Sequence, residues 1–268
     1  MLIVDGDNLA HRAYHTTPKT VSAPDGTPIN AIVGFFSILA RLWTSEGKGP
    51  VFVAWDTLGV DTYRNKLWPP YQTGRIFEPS IVTQLNMLPM VCEAFGFGVG
   101  KEPGYEADDI MATVALRASG PALLYTTDKD SYQLVTDRVK VLAPQRGGKP
   151  PIHIGPPQVV EILGILPEQV PDFKALAGDP SDKIPGARGI GPVTAAALLL
   201  KNGSLEAVLK DWSKPEEADQ LLMFREVVRM RTNASVQLPD SKPDWVSGAN
   251  ALRALGADNL ATRIEALG

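Results

Sequence analysis

The sequence predicts an α/β fold: a mostly parallel central sheet flanked by helices, with a smaller helical subdomain after it. Three observations lead there. Short apolar runs at residues 1–5, 50–56 and 122–127 each end on, or run into, an aspartate, as buried strands do where they emerge from a parallel sheet. Amphipathic stretches of helical length, about residues 28–46 and 79–95, alternate with them. Beyond Pro144 the texture changes to short helical segments punctuated by Gly and Pro.

Taken in order, Met1-Leu2-Ile3-Val4 forms the first strand and Asp5 its carboxyl end. Asp7 reads as the cap of the helix that follows. Pro50 to Trp55 is the second strand, ending on Asp56, and Ala122 to Thr127 is the third, running into Asp128. Ligands of open parallel sheets bind beyond the carboxyl ends of the strands, so Asp5, Asp56 and Asp128 are expected at one edge. Residues 57–79 depart from the pattern: two adjacent prolines, Tyr63, Trp68, Tyr71 and the cations Arg64, Lys66 and Arg75 mark an excursion with its own chemistry. The Gly147-Gly148-Lys149-Pro150-Pro151 link precedes helical segments to about 211 and a charged helix at about 214–232. Two short helices are expected in the tail, 248–268. The organisation read from this is a core at 1–150, a helical subdomain at 151–235 and a C-terminal tail at 236–268.

Composition excludes several classes. With 44% hydrophobic and 21% charged residues, the chain is neither disordered nor collagen-like. The single cysteine, Cys92, cannot form an internal disulfide and leaves no thiolate cage for zinc, which fits a reducing, cytoplasmic setting and a monomer. No apolar run approaches the ~18 residues of a membrane span. The formal net charge of −4 argues at first against a nucleic-acid partner.

The acids are grouped. Gly104-Tyr105-Glu106-Ala107-Asp108-Asp109 opens a helix, where the macrodipole favours anions; Glu106 and Asp109 share a face, with Asp108 close by. Asp128 and Asp130 flank one residue at a strand end, and Asp179 and Asp182 lie three apart in a Gly/Pro-rich turn. Each group alone has a bland explanation as a helix start or turn. Together, hard oxygen donors without cysteine or a histidine pair select Mg²⁺ or Mn²⁺, and two such ions suit in-line displacement at a phosphodiester.

The succession LIVDGDNLAHRAY, VAWD, GYEADD, TTDKDSYQL and GDPSDKIPGARGIGPVTA resembles the 5′ nuclease (flap endonuclease) family, in the branch of the bacterial polymerase I 5′-3′ exonuclease domain, over residues 1 to about 235. The resemblance implies a PIN-like fold and metal-dependent 5′-3′ exonuclease and 5′-flap endonuclease activity on DNA in replication and repair, with RNA primer hybrids as further substrates. It implies that Asp5, Asp56, Glu106, Asp108, Asp109, Asp128, Asp130, Asp179 and Asp182 line the metal site. Arg64 is assigned to the catalytic group and to the DNA contacts, with Arg12, Tyr14, Gln72, Arg75, Lys183, Gly189, Gly191 and Thr194. Residues 57–79 correspond to an arch over the active site, and 178–200 to a helix-hairpin (helix-3-turn-helix) that holds duplex DNA, where K⁺ can bridge the turn and the DNA. Tyr14 is expected either to stack on a terminal base or to pack in the core. The chain departs from the family at Gln72 and Val193, where lysine is common, and at Lys183, where asparagine is. No polymerase module follows the motifs, so a stand-alone nuclease is expected.

Two rivals remain. Val4-Asp5-Gly6-Asp7-Asn8 imitates the D-x-D-x-T loop of haloacid-dehalogenase-like phosphatases, but has Asn8 where threonine belongs and leaves GYEADD without a role. A non-cleaving binder of nucleic-acid structures would have little use for so many carboxylates. Removing the nine candidate acids from 30 leaves 21 against 26 bases, so the rest of the chain is basic by five charges and the objection from net charge falls.

Overall fold

The computed structural model describes residues 1–74 and 77–268. The chain runs β1 (Leu2–Asp5), α1 (Gly6–Thr16), α2 (Asn30–Ser45), β2 (Val51–Trp55), α3 (Tyr63–Leu67) and α4 (Pro79–Ala94). It continues with β3 (Gly98–Lys101), α5 (Ala107–Arg117), β4 (Ala122–Tyr125), β5 (Val139–Ala143) and β6 (Ile152–Ile154). The remainder is helical: α6 (Pro156–Leu163), α7 (Val170–Ala177), α8 (Pro192–Asn202), α9 (Leu205–Lys210), α10 (Ala218–Val228), α11 (Trp245–Ala254) and α12 (Asp258–Glu265).

Two compact units share the chain. The first comprises Met1–Thr57, Ile76–Thr126 and Thr232–Gly268; the second comprises Leu58–Arg75 and Thr127–Arg231. This division cuts across the boundaries read from the sequence. Residues 127–150 group with the helices rather than with the core, and the tail belongs to the first unit.

In the first unit, four parallel strands lie in the order β3-β2-β1-β4. Asp5 pairs with Ala54, so Asp5 and Asp56 emerge at the same edge. Every residue of β2 is buried, as an apolar run covered on both faces must be. In α2, Ile32, Phe35, Phe36, Leu39, Leu42 and Trp43 recur at three- and four-residue spacing and are all buried, each contributing about 1.5–3 kcal/mol. The tail attaches through aromatic contacts: Trp245 of α11 meets Trp43 at 4.9 Å and Phe95 at 5.5 Å between ring centroids. A Cβ at Gly248 would overlap the Phe95 ring, so only glycine lets α11 approach. Packing of this tail on the body, expected from Trp245 and the leucines, is what the structure has.

In the second unit, β5 and β6 form an antiparallel pair, with Val141 opposite Ile154. Helix α7 is the hub, packing on α8, on α10 and on the 3-10 turn Lys129–Leu134, while α3 packs on α10. α7 begins with Pro171 in its first turn and ends at Gly178, whose φ of 80° releases the chain into the acidic loop.

Candidate metal centre

The acids of the first unit sit at the starts of two helices. Asp5, not Asp7, is the N-cap of α1: its Oδ1 accepts the Asn8 N–H at 3.0 Å and its Oδ2 accepts the Thr126 hydroxyl at 2.8 Å. Asp7 instead lies in the first turn and accepts the Asp56 N–H at 2.8 Å, which fixes the chain where it leaves β2. Burial, followed by the charge of Asp56, pushes the Asp7 carboxyl well above the usual carboxylate range. Asp56 in turn accepts the Ala107 N–H at 2.7 Å, so the second strand's acid is tied to the start of α5. Asp108 accepts the Asp109 N–H at 2.7 Å.

Glu106 and Asp109 do come together, but as a capping box, with the Glu106 N–H donated to Asp109 at 3.1 Å. Asp109 is fully buried. It stands at the helix start with its carboxylate in the capping box, while Asp5, Asp56, Glu106 and Asp108 keep part of their surface exposed.

The second unit gathers a tighter set. Asp130, Asp179 and Asp182 each offer an oxygen, all within 4.8 Å of one another, and each residue is buried. Asp130 is placed by the 3-10 turn that Asp128 caps, its N–H donated to Asp128 at 2.9 Å; Asp128 itself is exposed. Asp179 and Asp182 are placed by a tight loop. Asp179 and Ile184 exchange backbone hydrogen bonds of 2.8 Å, and Ser181 donates both its N–H and its hydroxyl to Asp179. The loop closes because Gly178 and Gly186 face each other: a Cβ at Gly178 would stand 2.8 Å from the Pro185 carbonyl oxygen.

The missed member is Lys174, in the last turn of α7, whose ammonium pairs with both Asp130 and Asp179. Burial and the charge of Asp128 raise the Asp130 pKa to about 7 against the pull of Lys174. Burial likewise raises Asp182. Asp179 is also desolvated, yet Lys174 and Ser181 hold it below the usual range. Lys174 is raised in turn by Asp130 and Asp179 despite its own burial.

The expected DNA contacts divide. Gly189, Gly191 and Thr194 are exposed, Gly191 as the N-cap of α8, so the start of this helix offers backbone N–H groups to solvent. Val193 is 86% exposed. Arg12 is partly exposed on α1. Arg64, by contrast, is 1% exposed: its Nε donates to the Val227 carbonyl at 2.9 Å and its guanidinium lies on the Tyr63 ring. That makes it an anchor of α3 on α10, where the sequence reading expected a phosphate contact. Tyr14 is 3% exposed, its hydroxyl bound to Glu78 and Ser80 and its ring covered by Lys19, so it is packed in the core, one of its two expected placements. Gln72 donates to Asp182 at 3.0 Å, and Lys183 Nζ donates to the Thr73 carbonyl at 2.7 Å; both face their own unit. Both also adopt positive φ, 49° and 58°, a conformation non-glycine residues hold only under constraint. Arg75 lies outside the described residues.

Residues 1–164 match the family model described as 5′-3′ exonuclease, N-terminal resolvase-like domain, and residues 165–245 that described as 5′-3′ exonuclease, C-terminal SAM fold. The thermostable DNA polymerase I of Thermus thermophilus is 36% identical over 253 residues, covering 89% of this chain and 29% of that protein. DNA polymerase I of Deinococcus radiodurans is 36% identical, covering 99% of this chain and 28% of that one. The chain thus spans less than a third of the length of these curated relatives. Among solved structures, the 5′-exonuclease of bacteriophage T5 with bound divalent metal ions (zinc) shares the fold at a TM-score of 0.71 and 20% identity, covering 99% of this chain and 96% of that one. Flap endonuclease-1 from Methanococcus jannaschii does so at 0.64 and 15%, covering 99% and 92%. The sheet, the helical region after it and the two matches that together span residues 1–245 agree: the chain belongs to the 5′-3′ exonuclease family.

Proposed function

We propose that the chain is a divalent-metal-dependent 5′-3′ exonuclease and structure-specific 5′-flap endonuclease that hydrolyses phosphodiester bonds in DNA and leaves 5′-phosphates. The observation that carries this reading is the buried Asp130, Asp179 and Asp182 cluster within a chain of the exonuclease family. Its donors are all carboxylate oxygens, which fit a hard cation, and the Lys174 ammonium already stands where positive charge is needed. Mg²⁺ or Mn²⁺, two or more ions in all, would activate water and neutralise charge at the leaving oxygen. Asp130, Asp179 and Asp182, with the exposed Asp128, would hold metal in the second unit; Asp5, Asp56, Glu106 and Asp108 would do so in the first. Metal-bound T5 exonuclease, the T5 flap endonuclease pseudo-enzyme-product complex with DNA and metal ions, and the Rad2 catalytic core in complex with DNA substrate support carrying these ligand classes over.

Duplex DNA is held at the start of α8, where Gly189 and Gly191 leave room for a phosphate beside backbone N–H groups and Thr194 adds a hydroxyl; K⁺ is proposed at this turn. In functional terms the nuclease core lies within 1–150 with its arch at 57–79, and the helix-hairpin at 178–200. RNA primer hybrids are proposed as further substrates, and a cytoplasmic monomer as the working form; no described helix is long and apolar enough to cross a membrane.

A labelled 5′-flap duplex, a blunt duplex and a small phosphomonoester, each with Mg²⁺, Mn²⁺ or EDTA, test the proposal. Metal-dependent release from the flap is expected. Turnover of the monoester alone, or flap binding without cleavage, would overturn it.

A further inference from the structure

We propose that Lys174 is a resident counter-ion of the Asp130, Asp179 and Asp182 cluster, which a divalent cation must displace in order to bind there. The inference rests on the reading of this cluster as a metal centre.

Three buried carboxylates with oxygens within 4.8 Å of one another repel strongly where water is scarce. The fold answers with groups of its own. Ser181 serves Asp179, Gln72 serves Asp182, and the Lys174 ammonium pairs with Asp130 and Asp179 at once. Among these partners only Lys174 brings positive charge. An ion that bridges the cluster draws on the same two carboxylates, so it competes with the ammonium for them and is repelled by it.

The geometry also supplies a way out. Lys174 sits at the end of α7, its side chain 16% exposed, on a flexible four-carbon stem whose ammonium is strongly hydrated once in water. Displacement therefore requires rotation of one side chain and no opening of the backbone. Two consequences follow: the second unit is assembled before any metal arrives, and its affinity for metal is lower than three carboxylates alone would give.

The test uses the full chain. Mn²⁺ binding is measured by calorimetry, and thermal stability in EDTA and in Mn²⁺, for the wild type, Lys174→Met and Lys174→Arg. Lys174→Met is expected to bind Mn²⁺ about tenfold tighter or more, while losing stability in EDTA that Mn²⁺ restores; Lys174→Arg is expected to gain no affinity. Unchanged Mn²⁺ affinity and unchanged EDTA stability in Lys174→Met would overturn the proposal. A second measurement needs no variant: amine-selective labelling of the wild type, read by mass spectrometry, is expected to modify Lys174 faster in Mg²⁺ than in EDTA, and equal or slower labelling counts against displacement. Asp179→Asn/Asp182→Asn separates the two levels. If it leaves Mn²⁺ stoichiometry unchanged, the cluster is not a metal centre and the underlying reading fails. If stoichiometry falls but Lys174→Met has wild-type affinity, competition alone fails.

Discussion

The two units store negative charge in different ways. In the first, Asp5, Asp7, Asp56, Asp108 and Asp109 each accept a backbone N–H at or beside the start of α1 or α5, where helix dipoles favour anions. In the second, a charged side chain bridges two of the acids. Backbone donors stay in place when a ligand arrives. An ammonium contests the same oxygens. The first arrangement is pre-organised; the second is self-neutralised.

Substitutions can break that contrast. The largest effect is expected from Asp128→Asn together with Asp130→Asn, which removes the turn's capping acid and a cluster member: flap cleavage should fall by more than the ~100-fold typical of losing a metal's supporting residue, with DNA retention in a gel-shift assay intact. Persistent cleavage would locate the chemistry elsewhere. Next, Asp7→Ala strips the acceptor from the Asp56 N–H and should be about 1–3 kcal/mol less stable than Asp7→Asn in denaturant unfolding, equally in EDTA and in Mn²⁺. Rescue by Mn²⁺ would show that this acid behaves like those of the second unit. Asp109→Ala should cost about 1–2 kcal/mol through its capping box while leaving Mn²⁺ stoichiometry untouched, and a lost site in calorimetry would return it to the ligands. Smallest is Tyr14→Phe, about 1 kcal/mol from the lost hydroxyl contacts, with no change in affinity for a 5′ single strand; weakened binding would revive a DNA role.

Much of the fold was legible because it depends on local pattern. The strands β1, β2 and β4 are unbroken apolar runs, and α2 and α4 fall within a residue or two of where periodicity puts them. Strand β3 was not, since Gly98-Val99-Gly100-Lys101 has no strand signature. Its glycines make sense only beside Phe52 of β2, whose ring a Cβ at either position would crowd. The acids were legible as groups, whereas their division of labour was not. Asp109 looks the same in sequence whether or not it closes a capping box, and its burial appears only once the chain is folded. Lys174 reads as an ordinary cation on a short helix until folding brings Asp130, more than 40 residues earlier, against it. The burial of Arg64 was hidden for the converse reason: a cation in a Pro-rich excursion suggests solvent, and the carbonyl of Val227 lies far along the chain.

The chain passes from one unit to the other four times, at residues 57–58, between residues 74 and 77, and at residues 126–127 and 231–232. No single cut can therefore release either unit as a continuous fragment. A truncation near residue 235 would keep every acid of both sets yet expose Phe95 and Trp43, which Trp245 covers. Deletions in the tail that look harmless to the chemistry should fail first in solubility. The two stores of charge are thus inherited together, as one indivisible length of gene.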